Sequence, residues 1–224
     1  MAVAALNKFL TIAVPVAPGE QTVYTTPVGV SAIVLYAQVS NVGVNTYPTV
    51  TFSHRRKSTS SKTAGNTRTN RVIKDVEVPP NDSLIIIDGR LVLERTALIS
   101  DSIVIKATQS GIVSITDCKY SNVTGVTTVT TATAHNFNVN DEVTMSGLEF
   151  TCSGSTGITT TIFPAPQQSF IINSIVGSVG VSKTFVTNSG VVAGIAHTYV
   201  SGSGGQAAPL QMEFICSILE NSTT

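Results

Sequence analysis

Apolar and β-branched residues recur along this chain in short runs bounded by glycine, proline, asparagine and aspartate, and no stretch sustains the i, i+3, i+4, i+7 spacing of an amphipathic helix. The pattern predicts an all-β protein. Strands are expected at 21–26 (QTVYTT), 30–42 (VSAIVLYAQVSNV), 49–56, 71–78, 83–88, 90–94, 101–108, 111–120 and 210–220 (LQMEFICSILE). Turn signals fall at 26–29 (TPVG), 78–83 (VPPNDS) and 88–90 (DGR). The prolines at 79 and 80 bar a central strand there and leave Asn81 and Asp82 in the turn. Residues 31–39 (SAIVLYAQV) are apolar on both faces of the expected strand, so both faces should be covered, by a second sheet or by a neighbouring subunit. Short strands spaced about ten residues apart predict an antiparallel β-sandwich, jelly-roll or immunoglobulin-like.

The pattern changes character near Thr124. From there to Pro209 the chain is Thr, Val, Ala and Gly almost throughout, and its charged residues are only Asp141, Glu142, Glu149 and Lys183. The strand 111–120 needs an antiparallel partner, and 210–220 matches it in length and alternation. Pairing these two as a hairpin makes 121–209 an inserted domain, a small β-barrel or β-sandwich, in a discontinuous sandwich of 1–120 plus 210–224. Strands within the insertion are expected at 125–133, 141–148, 169–176, 183–188 and 196–201, with YVSGSGGQAAPL at 199–210 as a flexible exit linker.

Composition points towards assembly. Only 12% of the residues are charged and the formal net charge is zero, against roughly 25% charged residues in soluble domains. Such a surface gives little protection against self-association. Cys118, Cys152 and Cys216 lack metal or disulfide spacing and are expected as reduced, buried thiols. Lys8 interrupts the apolar start, which argues against a secretory signal, and no apolar run approaches the roughly 18 residues of a membrane span.

One cluster of charge stands out. Seven of the thirteen basic residues, Arg55, Arg56, Lys57, Lys62, Arg68, Arg71 and Lys74, lie in SHRRKSTSSKTAGNTRTNRVIK with no acid among them. The segment 53–71 reads as a long solvated loop between strands, available to an acidic patch on a protein neighbour. No aromatic residue interleaves the cations, so the stacking platform of a single-strand nucleic-acid site is missing and nucleic acid is not expected as a partner. His135 and His197 could converge with Asp141, Glu142 and Glu149, but His135 reads better as a turn residue whose ring bonds the backbone over Phe137. No nucleophile elbow, phosphate loop or zinc motif is present, so neither an enzyme nor a cofactor is expected. The polar segment 152–168 is the stretch best suited to a host surface glycan.

The frame TVYTTPVGVSAIVLYAQVSNVGVNTYPTVTFSHRR, continued by VIKDVEVPPNDSLIIIDGRLVLE and closed by SILE, resembles small virion structural proteins of tailed phages, notably those of marine cyanobacteria. TATAHNFNVNDEVTMSGLEFTCSG, FPAPQQSFIINSI and HTYVSG are similar to a β module found inside structural and tail proteins of such phages. The resemblance implies a non-enzymatic virion component assembled in the host cytoplasm, on the capsid or at the neck or tail. Its implied partners are other virion proteins and further copies of itself, as a trimer or ring, with no membrane.

Overall fold

The computed structural model describes residues 7–58, 66–154, 157–162, 168–191 and 196–222, with the side chains of 152–167 excluded. Strand formation follows from alternation. In 212–218 Met212, Phe214, Cys216 and Ile218 are buried, whereas Glu213 and Ile215 are exposed, because successive side chains of a strand point to opposite faces.

In chain order the strands begin β1 (Asn7–Pro15), β2 (Gly19–Thr25), β3 (Val30–Asn41), β4 (Thr49–Ser58), β5 (Thr67–Glu77), β6 (Ser83–Glu94) and β7 (Ile99–Thr108). They continue as β8 (Val113–Tyr120), β9 (Val126–Thr131), β10 (Glu142–Ser146), β11 (Glu149–Gly154), β12 (Gly157–Ile162), β13 (Ser169–Val176), β14 (Thr184–Asn188), β15 (Ala196–Tyr199) and β16 (Gln206–Pro209). The last is β17 (Met212–Ser222). Two compact units result, one of Met1–Val16, Glu20–Thr108 and Gln211–Thr224, the other of Ala17–Gly19 and Gln109–Leu210.

The first unit has two four-stranded sheets, ordered β1-β17-β3-β6 and β2-β7-β4-β5. With β17 counted as the eighth strand of this unit, that is the strand order of a jelly roll. Its core lies between the sheets, where Phe52 of one and Phe214 of the other stand 5.8 Å apart between ring centroids, among the buried Val34, Val39, Leu93, Ile103 and Ile105. The expectation that both faces of 31–39 are covered holds for one face. Ala32, Val34, Ala37 and Val39 are fully buried, but Ile33, Leu35 and Tyr36 are only half-buried on the outer face.

The hairpin expected between 111–120 and 210–220 does not form. Both edges of β17 are occupied, by β1 in an unbroken register from Asn7↔Asn221 to Pro15↔Glu213 and by β3 from Met212↔Asn41 to Ser222↔Val30. β8 instead turns back on β9, through a tight loop in which Gly125 N donates to the Ser121 carbonyl at 2.8 Å. Gly125 has φ 72°, and a Cβ there would come within 2.6 Å of the Gly190 carbonyl carbon, so only glycine fits. The compositional change near Thr124 therefore falls inside a hairpin. The inserted chain occupies the connection from β7 to β17, which crosses from one sheet of the jelly roll to the other. Two smaller corrections concern β6, one strand with a register shift near the expected DGR turn, and β1, which the sequence pattern did not mark.

In the second unit, β8-β16-β10-β13-β14-β9 closes back on β8 as a six-stranded barrel. One edge of β8 is shared. Val113 and Ser114 pair with β16, while Lys119 pairs with Thr198 of β15, which leads on to β11 and β12. Val143, Met145, Leu148, Phe150, Phe170, Ile172 and Phe185 fill the interior. The segment expected as a flexible linker carries the barrel strand β16. Gly205 beside it accepts a hydrogen bond from Ile115 N at 2.8 Å, and a Cβ on it would stand 2.7 Å from Leu148 Cδ2.

Candidate interaction surface

Most of the basic segment is strand. β4 runs to Ser58, β5 starts at Thr67, and Ser58 N donates to the Asn66 carbonyl at 2.9 Å; the solvated-loop reading fails because strand alternation here divides the cations between two faces. Lys62 lies outside the described residues.

On the side of β4 that carries the core residue Phe52, His54 and Arg56 converge on Asp101, whose side chain is fully buried. Arg56 donates from Nε to Asp101 Oδ1 at 2.7 Å and from Nη2 to Oδ2 at 2.6 Å, and Glu94 N donates to Oδ2 at 3.0 Å. His54 Nε2 lies 3.2 Å from Oδ2, off the axis of a straight hydrogen bond. Burial alone would push the Asp101 carboxyl up. The Arg56 fork, the Glu94 N–H and His54 outweigh it and hold the carboxyl below its ordinary value. Arg56 is thus a structural partner, not a free contact.

The opposite side of β4 faces outward. Arg55 pairs with Glu20 at 2.5 Å, Lys57 is exposed, and a hollow of about 240 Å³ opens among Thr51, Ser53, Thr69, Arg71, Lys74 and Lys106, with Glu20 and Asp75 on its rim. Lys74 lies 3.6 Å from Asp75. Among the described residues Arg71 and Lys106 at the hollow, and Lys57 beside it, make no ion pair, so they carry the positive charge of this surface. Arg68 lines a different hollow, with Arg56 and Ile99, and donates to Asn70 Oδ1 at 3.1 Å. The structure therefore gathers Arg55, Arg71 and Lys74, and adds Lys106, which the sequence cluster did not contain because it arrives on β7 opposite Thr51. Cations and hydroxyls on one open sheet face can hold a carboxylate or another anionic group of a partner.

No family model matches the sequence, and no curated protein is similar to it. Solved structures give only faint likenesses. The infectious bursal disease virus VP2 subviral particle is 7% identical with a TM-score of 0.29 over 97% of this chain and 41% of that one. The stem and receptor binding domain of the spike protein from bacteriophage PM2 is 8% identical with a TM-score of 0.19 over 99% of both chains, and the STIV MCP is 10% identical with a TM-score of 0.22 over 98% and 96%. The chain spans about two fifths of the length of the bursal disease virus protein. Scores this low carry no argument, and the jelly-roll assignment rests on strand order alone.

The remaining candidate groups do not converge: Glu142 and Glu149 are exposed, and His197 and Asp141 are half-buried. His135 is buried, its Nδ1 accepts from Phe137 N at 3.1 Å, and its ring stacks on Phe137 at 4.9 Å. Burial lowers its pKa, partly offset by the Thr184 backbone, and Nε2 is buried without a hydrogen-bond partner among the described residues. His197 sits instead against Tyr120 and Phe150. Asp141 accepts from Asn138 N at 2.7 Å and closes the turn before β10. Among the described residues no group of histidine, cysteine and carboxylate side chains could hold a metal. The side chains of the expected glycan contact lie almost wholly outside the described residues.

Cys118 and Cys216 are free and buried, and burial pushes their thiols up to about 12 and about 11. Since the thiolate is the reactive form, iodoacetamide at mildly alkaline pH is expected to leave both unlabelled in the native chain. Peptide mapping should show labelling at both only after denaturation.

Proposed function

We propose that this chain is a non-enzymatic structural subunit of a virus particle, of the tailed-phage kind its sequence resembles, in which the jelly roll docks on neighbouring virion proteins and the inserted barrel unit is carried on the outside. The observation that carries the reading is the eight-stranded jelly-roll order with a complete second β unit set into its last connection. Jelly rolls also serve lectins and cupins, and fold alone assigns no function. Cupin chemistry needs metal ligands inside the sandwich, and among the described residues no group of histidine, cysteine and carboxylate side chains could hold a metal. The outward face of β4, β5 and β7, with Arg71, Lys74 and Lys106, is the docking surface for an acidic neighbour, which the hydroxyls of Thr51, Ser53 and Thr69 would orient.

The test is localisation. Antibody against 109–210 should label purified particles by electron microscopy, and absence of the chain from particles overturns the reading. Arg71→Glu with Lys106→Glu should weaken attachment at least about tenfold at low salt, with a smaller effect at high salt. Attachment unchanged across the salt series would remove the basic face from the docking surface. Binding of the isolated particle protein to a host glycan array would favour an adhesin instead.

A further inference from the structure

We propose that β1 is the contact edge of a two-fold dimer of this chain, formed by antiparallel addition of β1 to β1 of a second copy; the inference stands independently of the function proposed above. Four strands end the two sheets of the jelly roll, and three of them are protected. β5 carries two register shifts and the cations Arg68, Arg71 and Lys74, β6 carries two register shifts against β3, and β2 is short, with Glu20 exposed beside its start. β1 is the least protected, with Lys8 near one end and Pro15 at the other. It pairs with β17 over nine residues without a break, Lys8 is its single charge, and no described strand covers its other edge. A long, regular, apolar edge is a template for another strand.

The side chains select a second copy as the occupant. Phe9 is 74% exposed, the most prominent group on the outer face of β1. Further along the same face a hollow of about 270 Å³ is lined by Ala13, Pro15, Ser40, Glu213 and Ile215. Antiparallel pairing centred on Thr11 sets Phe9 of each copy opposite Ala13 of the other, so that each ring enters the other's hollow. It also sets Lys8 opposite Val14, which keeps the two lysines at opposite ends of the contact. One knob and one hole on the same strand, exchanged by a two-fold axis, is an isologous fit. The register extends it. Phe9 continues across the sheet through Leu219, Ile33 and Val92, and Ala13 through Ile215, so one copy's apolar row would run on into the other's. A formal net charge of zero opposes the association with no bulk repulsion.

Sedimentation equilibrium of the full chain should give twice 23.4 kDa at micromolar concentration. Thr11→Lys, which puts like charges face to face at the axis, and Phe9→Asp should each return the mass to 23.4 kDa with the circular dichroism spectrum unchanged. In a Cys152→Ser background, Thr11→Cys should form a disulfide-linked dimer under mild oxidation, whereas Phe9→Cys, whose counterpart is Ala13, should not. A monomeric wild-type chain, a dimer that survives Thr11→Lys, or equal crosslinking at both positions overturns the proposal.

Discussion

Arg56→Ala should destabilise the jelly roll by about 3–5 kcal/mol, the range for removing one partner of a buried ion pair, and Asp101→Asn by about 1–3 kcal/mol. The asymmetry follows from burial. The Asp101 side chain is fully buried, whereas that of Arg56 is 40% exposed. Without Arg56 the carboxylate keeps only the Glu94 N–H and the off-axis His54, and it cannot reach water. Without the Asp101 charge, Arg56 can turn outward and hydrate. Urea unfolding of the two variants measures the difference, and equal losses would mean that the pair acts by packing alone. The pair also sets an acid limit. A carboxyl held below its ordinary value contributes stability that is fully present above about pH 3.9 and is lost as pH falls through its native value. Asp101→Asn and Arg56→Ala should therefore both flatten the acid limb of the stability curve, because each removes the gap between the native and unfolded carboxyl.

Phe185→Ala should cost the barrel unit about 3–5 kcal/mol, as large-to-small changes at fully buried aromatics do. Phe185 meets His135 edge-on at 5.4 Å and Phe137 at 5.5 Å, so its loss opens a cavity against both rings. The two hydrophobic clusters share no residue, and calorimetry should show the barrel transition lowered with the jelly-roll transition in place. A second readout is His135. Burial lowers its pKa, and admitting water beside the ring should move its NMR titration midpoint upward. A midpoint that stays put, or both transitions falling together, would contradict this account of the barrel core.

The strands that alternation marks clearly, such as 113–120 and 212–220, were legible in the sequence because a half-buried strand writes its two faces into the chain. Partner choice was not. β8 and β17 have the same length and rhythm, and nothing in either says that β1 and β3 already flank β17. The polar stretches 152–168 and 199–210 read as loop and linker, yet contain the end of β11, all of β12 and β16. Threonine, glycine and alanine there supply backbone pairing and close approach without an apolar signature. The basic segment misled for a related reason. Arg55 and Arg56 are neighbours in sequence but face opposite ways on β4, one to Glu20 at the surface and the other to Asp101 inside. The buried Asp101 and Glu220 gave no signal, since an acid at a strand position marks the outer face as readily as a sealed ion pair.

Setting the barrel unit into the connection before β17 has a consequence for synthesis. β17 is the middle strand that joins β1 to β3, and Asn7 waits for Asn221. While the chain emerges from the ribosome, seven strands of the jelly roll must stand with a gap in one sheet, and the barrel, whose pairings all lie within 113–209, can close first. Completing the sandwich is then a single late event of very high contact order, and until it happens the core faces of β1 and β3 are open to a wrong strand. Truncation between Pro209 and Met212 should release a folded barrel tethered to an unclosed sandwich that chaperones and proteases can recognise.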